Sequence, residues 1–552
     1  MRTAALLLIL STTLLAAPRF DVSFPAKAQS SPADGRLIVI VSKELEGEPR
    51  FQVSWGTETQ QIFGLDVDGL KPDETARVDS KAAGHPLRSL NDLAPGKYNV
   101  QAVLNIYETF HRAGGHTLKL HMDHGEGQQW NSSPGNLMSK PKQVEIGADT
   151  VVPIEMTEVI QPIDPPKDTK FVRHLQIESK LLTAFWGRPM HLGAIVLVPE
   201  GFDEKPRQHY PVAFEQTHFP SGFGFRETPP SPEMKGGQRR QADRAYRFFQ
   251  EWSSGRLPKF LVVLTQHPTP YYDDSYGVNT ANMGPYGDAL TQELYPAVEK
   301  QFRAIGEPWA RVLFGGSTGG WMTLAEQIFY PDYFGGAWGF CPDPVDFHAF
   351  QLTNVYTDKN AYFDIGPFQK LPRPVGRMPN DHIFTTMEDF SRQESVIGTH
   401  GRSGGQMDAF HATFGPAGPD GYTAQLWNSE TGEINPEVAR YWREHFDLTA
   451  TLQRDWERLG PRLIGKLHIT MGTKDTFYLD TAVHKMEDFL NTTKLPGKGP
   501  FYGGSIEYGN NEPHCFVGNI PAGEALEVYY VPVFAEYMRK MAPKGADVDS
   551  WR

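Results

Sequence analysis

The sequence predicts a smaller all-β, sandwich-like domain followed by an α/β domain with a mostly parallel sheet and helices on both faces. Three observations support this order. Residues 35–160 hold short strand-like runs and no long stretch with helical periodicity. Residues 161–168 have a proline-rich composition typical of a stiff linker. From residue 169 to residue 552, strand-like runs alternate with helix-like segments, which is the pattern of a parallel sheet covered by helices.

The first 28 residues have the features of a signal peptide. Arg2 is followed by the uncharged, largely apolar run 4–17, and Ala26-Lys-Ala28 supplies the small residues of a cleavage site. Pro18 disfavours cleavage directly before it. We therefore expect cleavage after Ala28 and a protein that is secreted or periplasmic. No other run of about 18 apolar residues occurs, so no membrane span is expected after removal of the signal.

In the first domain, turn-forming residues such as Ala94-Pro-Gly96 separate the strand-like runs. The predicted strands are 36–42, 51–55, 97–104, 117–122 and 150–156. One stretch of this region, His121-Met-Asp-His-Gly-Glu126, contains residue types that bind metals. It lacks the helical register that brings two histidines together on one face. We interpret it as a polar turn and expect no metal site.

The α/β domain has a regular succession of predicted elements. Its strands are expected to be buried on both faces, and its helices show apolar residues at intervals of three and four. The predicted strands are 192–198, 210–214, 260–265, 311–314, 335–340, 466–471 and 505–508, and the predicted helices are 239–252, 287–302, 321–330, 481–490 and 523–541. A long insertion, residues 345–462, has one predicted helix at 436–445. Segments of this length are usually functional, and we expect a lid or a pocket wall.

Charge and motif content exclude several functional classes. Asp and Glu number 66 against 53 Lys and Arg, and the formal net charge of −13 disfavours nucleic acid as the main partner. The sequence contains neither a Walker-type phosphate loop nor a dinucleotide-binding fingerprint. A nucleotide-dependent function is therefore not predicted.

The stretch Gly315-Gly-Ser317-Thr-Gly319 has the G-x-S-x-G pattern, which places a serine on a sharp turn between a strand and a helix. The flanking glycines are expected because a Cβ at either position would keep the strand and the helix apart. Gly401-Arg-Ser403-Gly-Gly405 has the same pattern. No sustained apolar run precedes this second copy, and a Gly/Pro-rich loop soon follows it. Ser317 is therefore the predicted nucleophile.

A serine nucleophile needs a base, and the base needs an acid that orients it. On this type of turn the chain order is Ser, acid, His. Asp475 follows the predicted strand 466–471 and is the candidate acid, with Asp343 in reserve. Of the two histidines after Asp475, His484 lies in a predicted helix and His514 lies in a loop before the last helix. His514 is therefore the predicted base.

Other residues are expected around these three. The backbone N–H of Thr318 is the first predicted oxyanion donor, and the second is that of Phe219, or alternatively of His218, in the loop after strand 210–214. His218 and Trp321 are expected to line the substrate pocket. Cys341 and Cys515 lie at the same predicted edge of the sheet, and an exported protein permits their pairing. We predict a Cys341–Cys515 disulfide, which would stabilise the fold by about 5 kcal/mol in the chain-entropy description.

Together these residues resemble the putative esterase family of α/β-hydrolases, which includes esterase D-like, feruloyl-esterase-like and enterochelin-esterase-like proteins. The resemblance spans roughly residues 180–540 and is carried by Tyr210-Pro-Val, Gly284-Pro-Tyr-Gly-Asp288, Glu293-Leu-Tyr-Pro, Gly315-Gly-Ser-Thr-Gly-Gly320, Asp475 and His514. It implies the α/β-hydrolase fold and a serine hydrolase that cleaves carboxylic esters, without a metal or organic cofactor. Two features depart from the family: Thr217-His218 stands where many members have His-Gly, and the insertion after Cys341 is longer than usual.

The substrate implied by the resemblance is a small-molecule or polysaccharide-linked ester. The same three residues would also serve an acyltransferase, in which an alcohol replaces water. Outside enzymes, the alternative is a binding module that has kept the fold without the activity.

Overall fold

The computed structural model describes residues 17–552 apart from 219–221, 496–498 and 501. It divides into two compact units. The first comprises the described residues up to Tyr107 together with Gly135–Gln161, and the second comprises Glu108–Pro134 and Pro162–Arg552. Residues 108–134, which the predicted boundaries place in the β-domain, therefore belong to the second unit. The reason is apolar packing, because Phe110, Leu118 and Leu120 are buried in a core of the α/β unit.

The first unit is all-β and has its own apolar core, as predicted. One sheet has the strand order 151–155, 19–23, 76–78, and a seven-stranded sheet is built around the long pair 33–42 and 96–106. Residues 51–55, predicted as a strand, are not one: Phe51 ends the 3-10 turn Pro49–Phe51, and residues 52–55 are irregular. The elements are the strands Arg19–Ser23, Ala33–Ser42, Gln61–Leu70, Ala76–Val78, Ala83–His85, Gly96–Ile106, Leu137–Met138, Lys142–Ile146, Val151–Glu155 and Glu158–Val159, and the 3-10 turns Pro49–Phe51 and Leu90–Asp92.

The strand Arg19–Ser23 lies inside the segment that the sequence assigns to the signal peptide. It pairs with Val151–Glu155 and with Ala76–Val78, and its Phe20 and Val22 side chains are fully buried. The predicted end of the signal at Ala28 does not fit this strand, because cleavage there would remove part of the core. Residues 1–16 lie outside the described residues. None of the helices in the described part of the chain is long and apolar enough to cross a membrane.

The second unit is built on an eight-stranded sheet. Its strands are β1 Val172–Glu178, β2 His191–Leu197, β3 Val212–Gln216, β4 Leu261–Gln266, β5 Arg311–Gly316, β6 Gly336–Phe340, β7 Leu467–Gly472 and β8 Ser505–Gly509. Their order across the sheet is β1-β2-β4-β3-β5-β6-β7-β8. Strands β3 to β8 are parallel, whereas β2 runs antiparallel to both of its neighbours. This is the α/β-hydrolase fold that the sequence predicts.

Two apolar cores lie against the sheet, as the alternation of strand side chains requires. In β5, Val312 and Phe314 belong to one core and Leu313 belongs to the other. The helices that pack around the sheet are Lys180–Trp186, Gly236–Trp252, Tyr286–Ala289, which continues through the π-helical Leu290–Leu294 into Tyr295–Phe302, and then Thr318–Phe329, Asp480–Thr492 and Leu526–Met541. Short strand pairs and 3-10 turns join these elements at Glu108–His111 with Thr117–Leu120, Asn279–Thr280 with Gly284–Pro285, Lys494–Leu495 with Gly499–Pro500, and Pro308–Ala310.

The insertion between β6 and β7 has more helix than the sequence predicts. The predicted helix 436–445 is confirmed as Pro436–His445, and the side chain of Asn435 caps its start by accepting from two backbone N–H groups. Three further helices occur, of which the last is kinked at Asp455 and contains Pro461, features that hide its periodicity. The remaining elements are the helices Met387–Ile397, Gln406–Phe414 and Leu448–Leu463, the 3-10 turn Phe347–Ala349, and the strands Phe363–Ile365, Lys370–Pro372, Pro374–Arg377 and Ile383–Thr386.

Candidate active site

Ser317 stands between β5 and the helix Thr318–Phe329, on the predicted sharp turn. Its φ of 59° and ψ of −123° are a backbone conformation that a non-glycine residue rarely adopts. A Cβ on Gly315 would lie 2.3 Å from the carbonyl oxygen of Gln216 in the neighbouring strand β3, and a Cβ on Gly319 would lie 1.9 Å from the same oxygen. Both glycines are therefore required by the neighbouring strand as well as by the turn itself.

Ser317, His514 and Asp475 lie in one hydrogen-bonded row. The Nε2 atom of His514 is 2.9 Å from the Oγ atom of Ser317, and the Nδ1 atom of His514 is 2.6 Å from the Oδ2 atom of Asp475. The carboxylate of Asp475 is fully buried, and the imidazole of His514 is 10% exposed. The structure thus brings together the three residues that the sequence names as nucleophile, base and acid.

The sheet explains why these three residues meet. Ser317 follows β5, Asp475 follows β7 and His514 follows β8, and the carboxyl ends of parallel strands lie at one edge of a sheet. Asp475 is held from its other side, because its Oδ1 atom accepts hydrogen bonds from the backbone N–H groups of Phe477 and Leu479 at 2.8 and 3.3 Å. One carboxylate therefore fixes both its own loop and the imidazole.

The electrostatics of His514 come from its neighbours. Burial alone would lower the pKa of His514, but the hydrogen bonds and negative charges of Asp475 and Cys515 raise it to about 10. The Asp475 carboxylate therefore stabilises the imidazolium form that appears when the histidine accepts a proton.

Asp343, the reserve acid, has a different task. Its Oδ2 atom accepts from the hydroxyl groups of Thr318 and Tyr276, each at 2.9 Å. Burial raises the pKa of Asp343 in spite of these two donors. The side chain thus holds the residue directly after the nucleophile, while the hydrogen bond to the imidazole belongs to Asp475.

Of the two predicted oxyanion donors, the structure describes Thr318 but not Phe219. Thr318 is the first residue of the helix that follows Ser317, and its buried side chain is anchored on Asp343. Phe219 lies outside the described residues. His218, which directly precedes it, has its Nδ1 atom 3.3 Å from the hydroxyl oxygen of Tyr272 and 3.5 Å from the Oδ2 atom of Asp273. Burial alone would lower the pKa of His218, but Asp273 raises it, to about 9.

The prediction that Trp321 lines the substrate pocket is wrong. Its side chain is fully buried, and its ring packs against Tyr276 and Phe414, with ring centroids 5.6 and 5.0 Å away. Trp321 lies one helical turn after the nucleophile. That turn of the helix faces the inside of the insertion rather than a cavity, because Phe414 belongs to the insertion helix Gln406–Phe414.

The predicted disulfide is not formed, since Cys341 and Cys515 are both free thiols. They nevertheless lie together, because each sulfur and a ring nitrogen of His514 are within 4.8 Å of one another. The hydrogen bond from the Cys341 thiol, with a further contribution from His514, lowers the pKa of Cys515 to about 4, whereas the pKa of Cys341 rises. The placement of both cysteines beside His514 agrees with the sequence, but their covalent state does not.

The second G-x-S-x-G copy is not a nucleophile turn. Ser403 lies in the loop before the helix Gln406–Phe414, and its Oγ atom accepts from the N–H of Gly405 at 3.0 Å. Its own N–H donates to the Oδ2 atom of Asp408 at 3.2 Å. These contacts stabilise the start of a helix, and the described residues place no strand directly before the serine.

Sequence reasoning missed Gln406. From the insertion, its amide donates to the hydroxyl of Tyr276, while its Oε1 atom accepts from the hydroxyl of Tyr272 at 2.7 Å. Because Tyr276 in turn donates to Asp343, a continuous set of hydrogen bonds joins the insertion to Thr318. No local pattern in the sequence singles out this glutamine.

Glu326 was also missed. This residue of the nucleophile helix accepts from the Nε2 atom of Gln216 and from the hydroxyl of Tyr295, both at 2.7 Å. Burial raises the pKa of Glu326 to about 8. The network ties the helix after Ser317 to β3, and the available signal was that Glu326 is the one charged residue of the helix Thr318–Phe329.

Comparison with known proteins shows a partial family match that includes the nucleophile turn and Asp475. Residues 266–495 match the family described as Putative esterase. Similar solved structures include a ferulic acid esterase (12% identity, 67% of this chain and 96% of that chain, TM-score 0.34). They also include an S-formylglutathione hydrolase from Agrobacterium tumefaciens (12% identity, 68% of this chain and 95% of that chain, TM-score 0.30). A third is FphF, a fluorophosphonate-binding serine hydrolase of Staphylococcus aureus (12% identity, 66% of this chain and 98% of that chain, TM-score 0.31). No curated protein matches the chain.

Proposed function

We propose that this chain, whose residues 266–495 match the family described as Putative esterase, is a serine hydrolase that cleaves carboxylic esters through an acyl-enzyme on Ser317. The observation that carries the proposal is the row Ser317–His514–Asp475, with heavy-atom distances of 2.9 and 2.6 Å. A buried carboxylate, an imidazole and a serine on a strained turn are the parts that acyl transfer needs. Metal or organic cofactors are not required for these steps.

In the first half of the reaction, the Oγ atom of Ser317 attacks the ester carbonyl carbon while its proton passes to Nε2 of His514. The carbonyl oxygen becomes an oxyanion, which the N–H of Thr318 and a second donor in the loop after β3, assigned to Phe219, stabilise. The carboxylate of Asp475 holds the proton on Nδ1, which keeps the lone pair of Nε2 directed at the serine.

In the second half, the tetrahedral intermediate collapses, the bond to the alcohol oxygen breaks, and His514 gives its proton to that oxygen. Water then enters, His514 removes a proton from it, and the resulting hydroxide attacks the acyl carbon. The second tetrahedral intermediate releases the acid and returns the proton to Ser317. Each proton that His514 accepts is returned within the same cycle.

The proposed substrate class and location rest on features of the sequence. We propose an exported, secreted or periplasmic enzyme, because Arg2 and the apolar run 4–17, which precede the strand Arg19–Ser23, have the composition of an export signal. A small-molecule or polysaccharide-linked ester fits the resemblance. The acidic net charge of −13 favours neither nucleic acid nor an anionic surface as a partner. His218, beside the oxyanion loop, is proposed to contact the substrate.

The proposal is tested by a variant that lacks the Oγ atom of Ser317. Ser317→Ala should fold as the wild type, fail to react with a fluorophosphonate and lose turnover of p-nitrophenyl acetate by about 10⁴-fold or more. Ser403→Ala is the matched control, since it alters the second copy of the pattern and should leave both readouts unchanged. Equal labelling of wild type and Ser317→Ala would remove Ser317 as the nucleophile. Adding an alcohol acceptor to the same assay separates hydrolysis from acyl transfer, because transfer would yield a new ester.

A further inference from the structure

His218, Asp273 and Asp274 form a group of ligand-type side chains beside the proposed oxyanion loop. Each offers one donor atom, a ring nitrogen or a carboxylate oxygen, and the three atoms lie within 4.8 Å of one another. His218 follows β3, and the two aspartates lie in the loop after β4, so both segments leave the same edge of the sheet.

Asp274 has a carboxylate oxygen that lacks a hydrogen-bond partner among the described residues. The side chain is 1% exposed, and its Oδ1 atom accepts from the N–H of Tyr276 at 2.8 Å. The Oδ2 atom has no such contact and is shielded from solvent. A buried carboxylate oxygen without a donor is costly, so its presence indicates a ligand that supplies the missing interaction.

Negative charge is also concentrated at this place. Asp273 is 2% exposed and Asp343, which joins the same region through Tyr276, is 5% exposed. The described ion pair in the group joins His218 to Asp273 at 3.5 Å. A single imidazolium does not balance three buried carboxylates, whereas a divalent cation bound between Asp273 and Asp274 would neutralise the charges of both.

A cavity gives access to Asp273, one of the three ligand-type residues. Asp273 lines a cavity of about 420 Å³ whose wall also includes Asp123, His124 and Glu126. These last three belong to the stretch predicted as a polar turn, and the structure agrees, because the Asp123 carboxylate accepts from the N–H groups of Gly125 and Gly127. An acid-lined cavity raises the local concentration of cations.

From these observations we propose that His218, Asp273 and Asp274 bind a divalent cation of the Mn²⁺ or Zn²⁺ class. Two carboxylate oxygens and one imidazole nitrogen suit these ions, whereas Ca²⁺ and Mg²⁺ favour oxygen ligands only. Bonds of about 2.1 Å place the donors of one ion about 3 to 4 Å apart, so a small closing of the present spacing completes the site. The cation would hold the loop after β3 against the loop after β4.

The test uses Mn²⁺, because thiolates prefer softer ions and the Cys341–Cys515 pair would compete for Zn²⁺. The full-length protein is treated with a chelator, and bound Mn²⁺ is then counted by electron paramagnetic resonance during a titration. We expect one Mn²⁺ per chain and a rise in Tm at saturation, because the ion binds the folded state. Asp274→Asn keeps the size of the side chain and should weaken binding at least tenfold.

His348→Asn is the matched control, since His348 belongs to a second group of ligand-type residues with Asp346 and Asp447. It should bind Mn²⁺ as the wild type does. If Asp274→Asn fails to fold, His218→Asn, at a partly exposed position, should show the same loss. Absence of stoichiometric binding, or unchanged binding in both variants, would overturn the proposal. Ser317→Ala should keep the Mn²⁺ site while it loses turnover, which separates this test from that of the proposed function.

Discussion

Replacing Asp475 by Asn tests the assignment of the acid most directly. The amide is the same size as the carboxylate, and its oxygen can still accept from the N–H groups of Phe477 and Leu479, so the loop should keep its shape. Its NH₂ group, however, then faces Nδ1 of His514, which lies 2.6 Å from the present carboxylate oxygen. A donor at this position forces the proton of the neutral imidazole onto Nε2, where it faces Ser317 and prevents the ring from accepting the serine proton.

The expected loss in kcat for Asp475→Asn is about 10⁴-fold, the size known for a triad held in the wrong tautomer, which corresponds to about 5.5 kcal/mol of barrier. KM should change little, because the aspartate is buried behind the histidine. The assay is p-nitrophenyl acetate hydrolysis with burst-phase titration of active sites, and thermal unfolding checks the fold.

Asp343→Asn is the control for Asp475→Asn. Asp343 accepts from Thr318 and Tyr276, and an amide oxygen can accept from either hydroxyl with a loss of about tenfold at most. If Asp343→Asn abolished turnover while Asp475→Asn kept more than a tenth of it, the reasoning from hydrogen bonds to roles would be refuted.

Two further predictions concern pH. The pKa of His514 is raised to about 10, so below that pH the imidazole is largely protonated and cannot act as a base. For the enzyme with both cysteines as free thiols, kcat/KM should therefore still rise with pH above 8. Cys515→Ala removes one cause of the raised His514 pKa and should shift this rise in kcat/KM to lower pH. An unchanged pH profile would show that the Cys515 thiolate does not raise the pKa of His514. The pKa of Glu326 is raised from 4.5 to about 8, so the folded state binds a proton more tightly than the unfolded chain, and stability falls as pH rises between these values. Glu326→Gln should flatten urea-unfolding stability over this range by up to about 5 kcal/mol relative to wild type, and identical slopes would contradict the raised pKa.

The positions of Ser317, Asp475 and His514 could be predicted because each depends on a local rule with a global consequence. A buried strand can be identified from a run of apolar residues, and its carboxyl end fixes where the next loop begins. Parallel strands then carry such loops to one edge, even when the residues are 39 and 197 positions apart in the sequence. The chain order Ser, acid, His then assigned the roles of the three residues.

The role of Trp321 could not be predicted in this way. Periodicity shows that the helix after Ser317 is apolar on most sides, but it does not show what covers each side. The cover is the insertion helix Gln406–Phe414, whose Phe414 packs on the indole. This helix has only nine residues and is flanked by Gly405 and Gly415, so its apolar residues do not repeat often enough to reveal a helical period. The strand Arg19–Ser23 fell inside the predicted signal peptide because the small residues Ala26 and Ala28 suggest a cleavage site beyond it, although Phe20 and Val22 alternate with polar residues as in a half-buried strand.

These contacts change the interpretation of the insertion. The sequence suggests a lid or a pocket wall, but Gln406 reaches behind the nucleophile, and its hydrogen bonds to Tyr272 and Tyr276 place it one step from Asp343. Since Asp343 holds Thr318, which carries the proposed oxyanion donor, the insertion contributes to the precision of the reacting geometry. A pocket wall would change which ester is accepted, whereas a support of this kind sets how well any ester reacts. The contacts of Gln406 therefore indicate a second role for the insertion, support of the sharp turn that carries Ser317, beside the lid or pocket wall that the sequence predicts.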